Sequence, residues 1–270
     1  MTGRPSILQK IYADKRVRLE EQKVSADFGA LQRKAEKVAG STVAFRLSKA
    51  LSVPEQINVI AEFKRASPSK GVINGSASPA DKAAEYSGLG AAAISVLTEE
   101  AHFLGSAEDL VAVRKAVPLP VLRKDFVFEL FQVLETRAIG ADAVLLIAAM
   151  LSDAELRSLM KEAESLGLDS LVEVHSETEL ERAVESGARL IGVNNRNLNT
   201  FEVSLDHSRE LIRHKPQGVL MISESGISSF EQIEELRGLG FDGFLIGEAL
   251  MNGASVLGTN KHKIPLLIDP

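Results

Sequence analysis

The 270-residue chain contains no cysteine. That single absence excludes disulfides, thiolate metal sites and thiol nucleophiles, and it fits a reducing compartment, so a cytoplasmic location is expected. Long apolar runs are missing as well. The longest, AVLLIAAML at 143–151, falls far short of the roughly 20 residues that cross a bilayer. The opening stretch MTGRPSILQKIYADKRVRLEEQ has no apolar h-region, so no secretory leader and no membrane partner are expected. Positive charge is in deficit: a formal net charge of −6 argues against a nucleic-acid groove over much of the surface. The five histidines, at 102, 175, 207, 214 and 262, show no H-E-x-x-H or other ligand spacing, so no metal is expected.

What is present is an ordinary globular composition, 45% hydrophobic and 25% charged, in a length that α/β barrels commonly occupy as one domain. Residues 1–50 read as a charged helical extension with Ile7, Leu8, Ile11 and Tyr12 at helix-face spacing. From there short apolar runs recur near 57–63, 91–97, 119–123, 142–147, 168–173, 189–194, 219–223 and 243–246, separated by helix-patterned segments. Glycines 90, 140, 167, 187 and 240 stand where helices would stop before the next strand. Eight strands alternating with helices suit a single (β/α)8 TIM barrel over residues 51–270, with a doubly wound open sheet as the alternative. The tail, 252–270, carries only a weak helical pattern and is atypical. GLGFDG at 238–243 matches G-x-G-x-x-G, but it ends a helix and precedes a strand, the reverse of a dinucleotide fingerprint.

Barrel active sites sit at the C-terminal strand ends, and here those ends are polar. The first finishes in Glu62, Lys64 and Arg65, the third in Arg123, Lys124 and Asp125, and the fifth in Glu173 and His175. The sixth finishes in Asn194, Asn195 and Arg196, the seventh in Ser223, Glu224, Ser225 and Gly226, and the eighth in Gly247 and Glu248. Strand alternation puts Glu62 and Lys64 on one face, and Glu173 on the face of Leu171. Any one strand-end lysine is as well explained as a solvated cap; agreement among several strands is not. Gly226 and Gly247, after strands seven and eight, suit phosphate binding through backbone N–H groups, with Ser67 and Ser225 as hydroxyl donors. The plain alternative is that both glycines only make tight turns. His175 reads as a loop residue rather than a base. These residues describe an anionic, phosphorylated small substrate held among two lysines and two or three carboxylates, with a lysine among neighbouring cations poised as an acid. Acid–base and Schiff-base chemistry both remain open at this point.

The motifs IAEFKRASPSKG, LRKDF, LVEVHSETELERA, IGVNNRNLNTFEV, ISESGI and FLIGEALM, in that order, closely resemble those of the indole-3-glycerol phosphate synthase family, from about residue 5 to 251. The resemblance implies a cofactor-free ring closure of 1-(2-carboxyphenylamino)-1-deoxyribulose 5-phosphate to indole-3-glycerol phosphate, carbon dioxide and water. Carried over by motif, Lys124 would be the general acid and Glu173 its partner in the later proton transfers, while Lys64 would hold the substrate carboxylate and share in acid catalysis. Glu62, Asn194 and Glu224 would orient these groups, with Ser225 lining the site and Arg196 near the mouth. Ser67, Gly226, Gly247 and the backbone N–H of Glu248 would bind phosphate, and Phe103 and Phe126 would wall the aromatic ring. The resemblance also implies that the 1–50 extension packs over the barrel mouth, and that the tail departs from a family pattern in which a final helix closes the barrel.

The neighbouring phosphoribosylanthranilate isomerase barrel resembles it in its phosphate site but uses a cysteine base, and the absence of cysteine argues against it. A Schiff-base phosphosugar lyase and a catalytically silent phosphometabolite-binding barrel stay as alternatives. A monomer acting on a small molecule, rather than a homodimer, is expected.

Overall fold

Eight parallel strands close on one another in a computed structural model that describes residues 6–53, 56–197 and 200–251. In chain order the strands are β1 (Val59–Phe63), β2 (Ala66–Ser67), β3 (Gly71–Val72), β4 (Ala93–Leu97), β5 (Val121–Lys124), β6 (Ala143–Ile147), β7 (Asp169–Val174), β8 (Leu190–Asn194), β9 (Leu220–Glu224) and β10 (Gly243–Ile246). β2 and β3 form a small antiparallel pair outside the barrel. The other strands follow one another around it, and β1 closes the ring by pairing with both β4 and β10. This is the TIM barrel expected from the alternation of runs, and every expected strand segment overlaps one barrel strand, with β5, β7 and β9 each running one residue further.

The helices are α1 (Ile7–Ser25), α2 (Phe28–Gly40), α3 (Arg46–Leu51), α4 (Pro79–Gly88), α5 (Glu100–Phe103), α6 (Ala107–Ala116), α7 (Leu130–Ala138), α8 (Asp153–Ser165), α9 (Glu177–Glu185), α10 (Asp206–Leu211), α11 (Phe230–Leu239) and α12 (Glu248–Met251). Their boundaries are written in local chemistry. Ser78, Ser106, Ser152, Ser176 and Ser229 each cap a helix by accepting a backbone N–H in its first turn. At the other end Gly240 takes φ +112, a left-handed stop before β10, so GLGFDG is a helix terminus and not a nucleotide loop. None of the described helices is long and apolar enough to cross a membrane.

Alternation along each strand separates two cores. Residues such as Val59, Ala61, Phe63, Val172, Val174, Ile191 and Val193 face the helices. Ile60, Leu122, Leu145, Leu171, Leu190, Ile222 and Leu245 fill the barrel interior. Two positions after an inward apolar residue, at the C-terminal rim, stand Glu62, Lys124, Glu173, Gly192 with Asn194 beyond it, and Glu224. The period of two therefore converts a buried apolar layer into a polar rim within one step.

Residues 1–50, expected as an arm over the mouth, lie in three places as far as they are described. α1 crosses the mouth and buries Ile11, Lys15 and Leu19, spaced by four. α2 packs on the outside of the barrel against α7. α3 closes the opposite end: Leu47 and Leu51 belong to the interior core, and the first-turn N–H groups of Leu47 and Ser48 donate to Asp169 at 2.9 and 3.1 Å. Asn58 ties that plug to the barrel floor by donating to the carbonyls of Leu51 and Asp242, both at 2.9 Å. The tail from 252 lies outside the described residues.

Leu47→Ala removes a fully buried side chain that supports the interior from below. The expected loss is about 2–5 kcal/mol in urea unfolding; a change below about 1 kcal/mol would show that α3 does not plug the barrel.

Candidate active site

The polar rim opens into a cavity of about 840 Å³, a size that suits a small organic substrate. Its floor is an ion cluster. Lys124 Nζ donates to Glu173 Oε2 at 2.7 Å and to Glu224 Oε2 at 2.6 Å. Lys64 Nζ donates to Glu62 Oε1 at 2.5 Å. Asn194 Nδ2 donates to the other oxygen of Glu173 at 3.1 Å, and its own carbonyl oxygen accepts from the Arg196 backbone at 3.0 Å. Ionised groups this deep persist only when paired.

The electrostatics follow from crowding. Burial pulls the Lys124 ammonium down, but Glu173, Glu224 and Glu62 outweigh it and hold its pKa above the ordinary lysine value. Burial pushes Glu173 up, yet Lys124 and His175 pull it below the usual carboxylate range. Glu224 is pushed up to about 7, by burial first and then by Glu173 and Glu62, against the pull of Lys124. The sequence suggested a lysine made acidic by neighbouring cations. The structure corrects this, because the groups around Lys124 are carboxylates, and a low-dielectric cluster of anions strengthens its hold on the proton.

Two glycines make this crowding possible. A Cβ on Gly192 would lie 1.9 Å from Glu224 Oε1, and one on Gly247 would lie 2.6 Å from Glu62 Oε1. Gly192 escaped the sequence reading, which treated it as an ordinary strand residue. Gly247 was assigned to anion approach; its first physical duty is to leave room for Glu62. Gly226, at φ +79 with a would-be Cβ 2.4 Å from Val203, is required by its backbone and by Val203.

Every other residue assigned from the sequence lines the same cavity: Arg196, Ser225, Phe103, Phe126, Ser67, Gly226, Gly247 and Glu248. Phe103 and Phe126 stand with ring centroids 6.0 Å apart. At the far side the Glu248 carboxylate lies 3.2 Å from Lys70 and 3.6 Å from Arg196. Arg65 is excluded from the chemistry: its Nη2 donates to Asp109 at 2.8 Å and its guanidinium covers the Phe63 ring at 5.0 Å, so it clips the loop to α6. Arg123 points to the helix layer, reaching Thr98, Thr136, Asp125 and Glu135. Asn195 is a brace, donating to Ser223 and to the carbonyls of Glu224 and Ser225.

Sequence reasoning missed Lys15. It is 3% exposed, and its Nζ lies 3.0 Å from Asp125 and 3.3 Å from Glu100. Beside it Arg18 pairs with Glu99, and His102 meets Asp14 at 2.9 Å. These pairs fasten α1 next to Lys124. Its apolar residues Ile7, Leu8 and Ile11 then roof the cavity. One lysine among several cations on a charged helix gives no signal of burial. Among the described residues no group of three or more His, Asp or Glu side chains is arranged to hold a metal ion.

The family model for indole-3-glycerol phosphate synthase matches residues 8–261, which carries it into the 252–270 segment. A relative of that name in Carboxydothermus hydrogenoformans is 46% identical over 248 residues, 90% of this chain and 94% of its own. Another, in Acidithiobacillus ferrooxidans, is 46% identical over 256 residues, 95% of this chain and 97% of its own. Among solved structures, N-acetylmannosamine-6-phosphate 2-epimerase from Clostridium perfringens superposes with a TM-score of 0.57 at 15% identity, over 71% of this chain and 86% of its own. 3-Hexulose-6-phosphate synthase from Salmonella typhimurium gives 0.57 at 13% identity, over 74% and 93%. Those two share the barrel. With a family model over nearly its whole length and relatives of this identity covering nearly all of it, the chain belongs to the indole-3-glycerol phosphate synthase family.

Proposed function

We propose that the chain closes the indole ring of 1-(2-carboxyphenylamino)-1-deoxyribulose 5-phosphate, releasing carbon dioxide and water to give indole-3-glycerol phosphate. The observation that carries this reading is the Lys124 ammonium held between Glu173 and Glu224 at the cavity floor. The ring carbon that bears the carboxylate attacks the ribulose carbonyl, whose oxygen takes a proton from Lys124. Carbon dioxide then leaves with its bonding electrons returned to the ring. Departure of the hydroxyl as water needs one proton delivered and one removed. Glu173 is proposed for those transfers, fixed by Lys124 on one oxygen and Asn194 on the other. Lys64, paired to Glu62, is proposed to meet the substrate carboxylate and to share in acid catalysis. Ser225 and Glu224 line the sugar hydroxyls, and Phe103 and Phe126 flank the aromatic ring.

Phosphate is proposed to lie against Ser67, Gly226, Gly247 and the Glu248 backbone N–H, near Arg196, which line the same cavity as the ion cluster. The imine alternative is disfavoured by the environment of Lys124, since a nucleophilic amine must lose its proton and three carboxylates oppose that loss. A monomer acting on a small molecule is part of the same proposal. The absence of cysteine is compatible with a cytoplasmic location.

Lys124→Ala is expected to lower turnover by about 10²–10⁴-fold or more while the barrel still folds, at reduced stability because Glu173 and Glu224 lose their shared cation. Indole-glycerol phosphate fluorescence measures this, and retained activity would refute the assignment. Inorganic phosphate or sulfate is expected to compete with substrate, raising KM and leaving kcat unchanged; no anion effect at high concentration would remove the phosphate site. A third expectation comes from the raised Glu224 carboxyl. Because its folded pKa of about 7 exceeds the unfolded carboxylate value, the folded state binds the proton more tightly, and stability falls as pH rises from about 4.5 through 7. Glu224→Gln is therefore expected to be more stable than the wild type at pH 8, with the difference shrinking towards pH 5, in urea midpoints taken at both. Equal midpoints at pH 8 would count against a strained carboxyl at this position.

A further inference from the structure

His175 follows β7 one residue beyond Val174 and turns its ring back behind Glu173. The two ring nitrogens face opposite carboxylates. Nε2 lies 3.7 Å from Glu173 Oε1, and Nδ1 lies 3.8 Å from Glu179 Oε2, on α9. Neither nitrogen touches solvent or has a hydrogen-bond partner. A neutral imidazole in that place would present one lone pair to a carboxylate, whereas an imidazolium presents an N–H to each side. Glu179 is itself fixed for this purpose, because its Oε2 accepts the His175 backbone N–H at 2.8 Å.

The geometry points to His175 as a positioning residue for Glu173: as an imidazolium bridging Glu173 and Glu179, it completes a three-sided clamp on the Glu173 carboxylate. Lys124 holds one oxygen, Asn194 donates to the other at 3.1 Å, and the imidazolium stands behind that same oxygen. The ring does not reach the reacting atoms; it acts through Glu173. The charged groups facing it are Glu173 from β7, Glu179 from α9 and, farther off, Glu224 from β9, with Lys124 of β5 beyond Glu173 and Arg182 of α9 acting on Glu179. Burial pulls the imidazole down, but Glu179 and Glu173 with Glu224 more than offset it and raise its pKa above the ordinary value. The positive charge in turn helps hold Glu173 low. The sign is consistent across the pH range that matters. Below its raised pKa the ring is charged, which is where Glu173 would otherwise begin to take up a proton. At 3.7 and 3.8 Å both contacts are ion pairs rather than hydrogen bonds.

This inference rests on the proposed cyclisation, and its test separates the two. Ring ¹⁵N chemical shifts of the whole chain, titrated by NMR and assigned with His175→Gln, are expected to show His175 titrating above the ordinary histidine value. Glu179→Gln should move that titration down. In turnover, His175→Gln is expected to shift the acidic limb of kcat upward by about half a pH unit or more, roughly threefold in kcat on that limb, whereas Glu179→Gln, which leaves the ring charged there, should not shift it upward. The alkaline limb and KM should change little, which a merely structural defect would not produce. A ring that titrates at its ordinary value and ignores Glu179→Gln overturns the bridge. An active His175→Gln enzyme whose acidic limb superimposes on that of the wild type overturns the positioning role alone, whereas a wild type without turnover overturns the cyclisation itself.

Discussion

The ammonium of Lys124, shared by Glu173 and Glu224 at the end of the barrel, is the contact on which the rest of this structure depends. Three carboxylates and two ammoniums sit within one rim, almost out of water. Remove the central cation and the carboxylates repel in a medium that screens poorly. Keep it, and the same crowding holds one carboxylate firmly ionised while leaving another near neutral pH. A single apolar scaffold thereby holds acidic groups of unequal proton affinity side by side, the arrangement that proton-transfer chemistry requires.

That cluster constrains residues that carry no charge. Gly192 and Gly247 are spaces into which Glu224 and Glu62 fit. The interior leucines and isoleucines one step below set the depth at which the polar groups emerge. The N-terminal segment closes the barrel at both ends by different physics. α3 inserts Leu47 and Leu51 into the floor, where burial of apolar surface holds it. α1 is fastened over the mouth chiefly by Lys15 and Arg18 reaching buried carboxylates, so the roof is coupled electrostatically to the strand that bears Lys124.

Much of this was legible in the sequence. Strand runs and glycine stops are local signals, and period-two alternation puts Glu62 with Lys64 on one face and Glu173 with Leu171 on one face without any coordinates. The errors share a cause. A lysine among cations was expected because Arg123 adjoins Lys124 and Arg65 adjoins Lys64 in sequence, but Arg123 faces the helices, Arg65 pairs with Asp109 and Lys64 with Glu62. His175 does lie in the loop after β7, as expected; what the sequence did not show is its two carboxylate partners, from the strand end and the next helix. Lys15 went unnoticed because its buried partner, Asp125, lies 110 residues away.

The sequence by itself determined the alternation of elements, the face each polar residue occupies and the family to which the chain belongs, because those rest on short-range periodicity and on motif order. Only the tertiary structure decided which charges meet. Closing the sheet brings the strand ends at 124, 173 and 224 within hydrogen-bond reach, and burial then turns proximity into altered proton affinity. Proton affinity depends on distance and dielectric, and neither is a property of a residue's place along the chain.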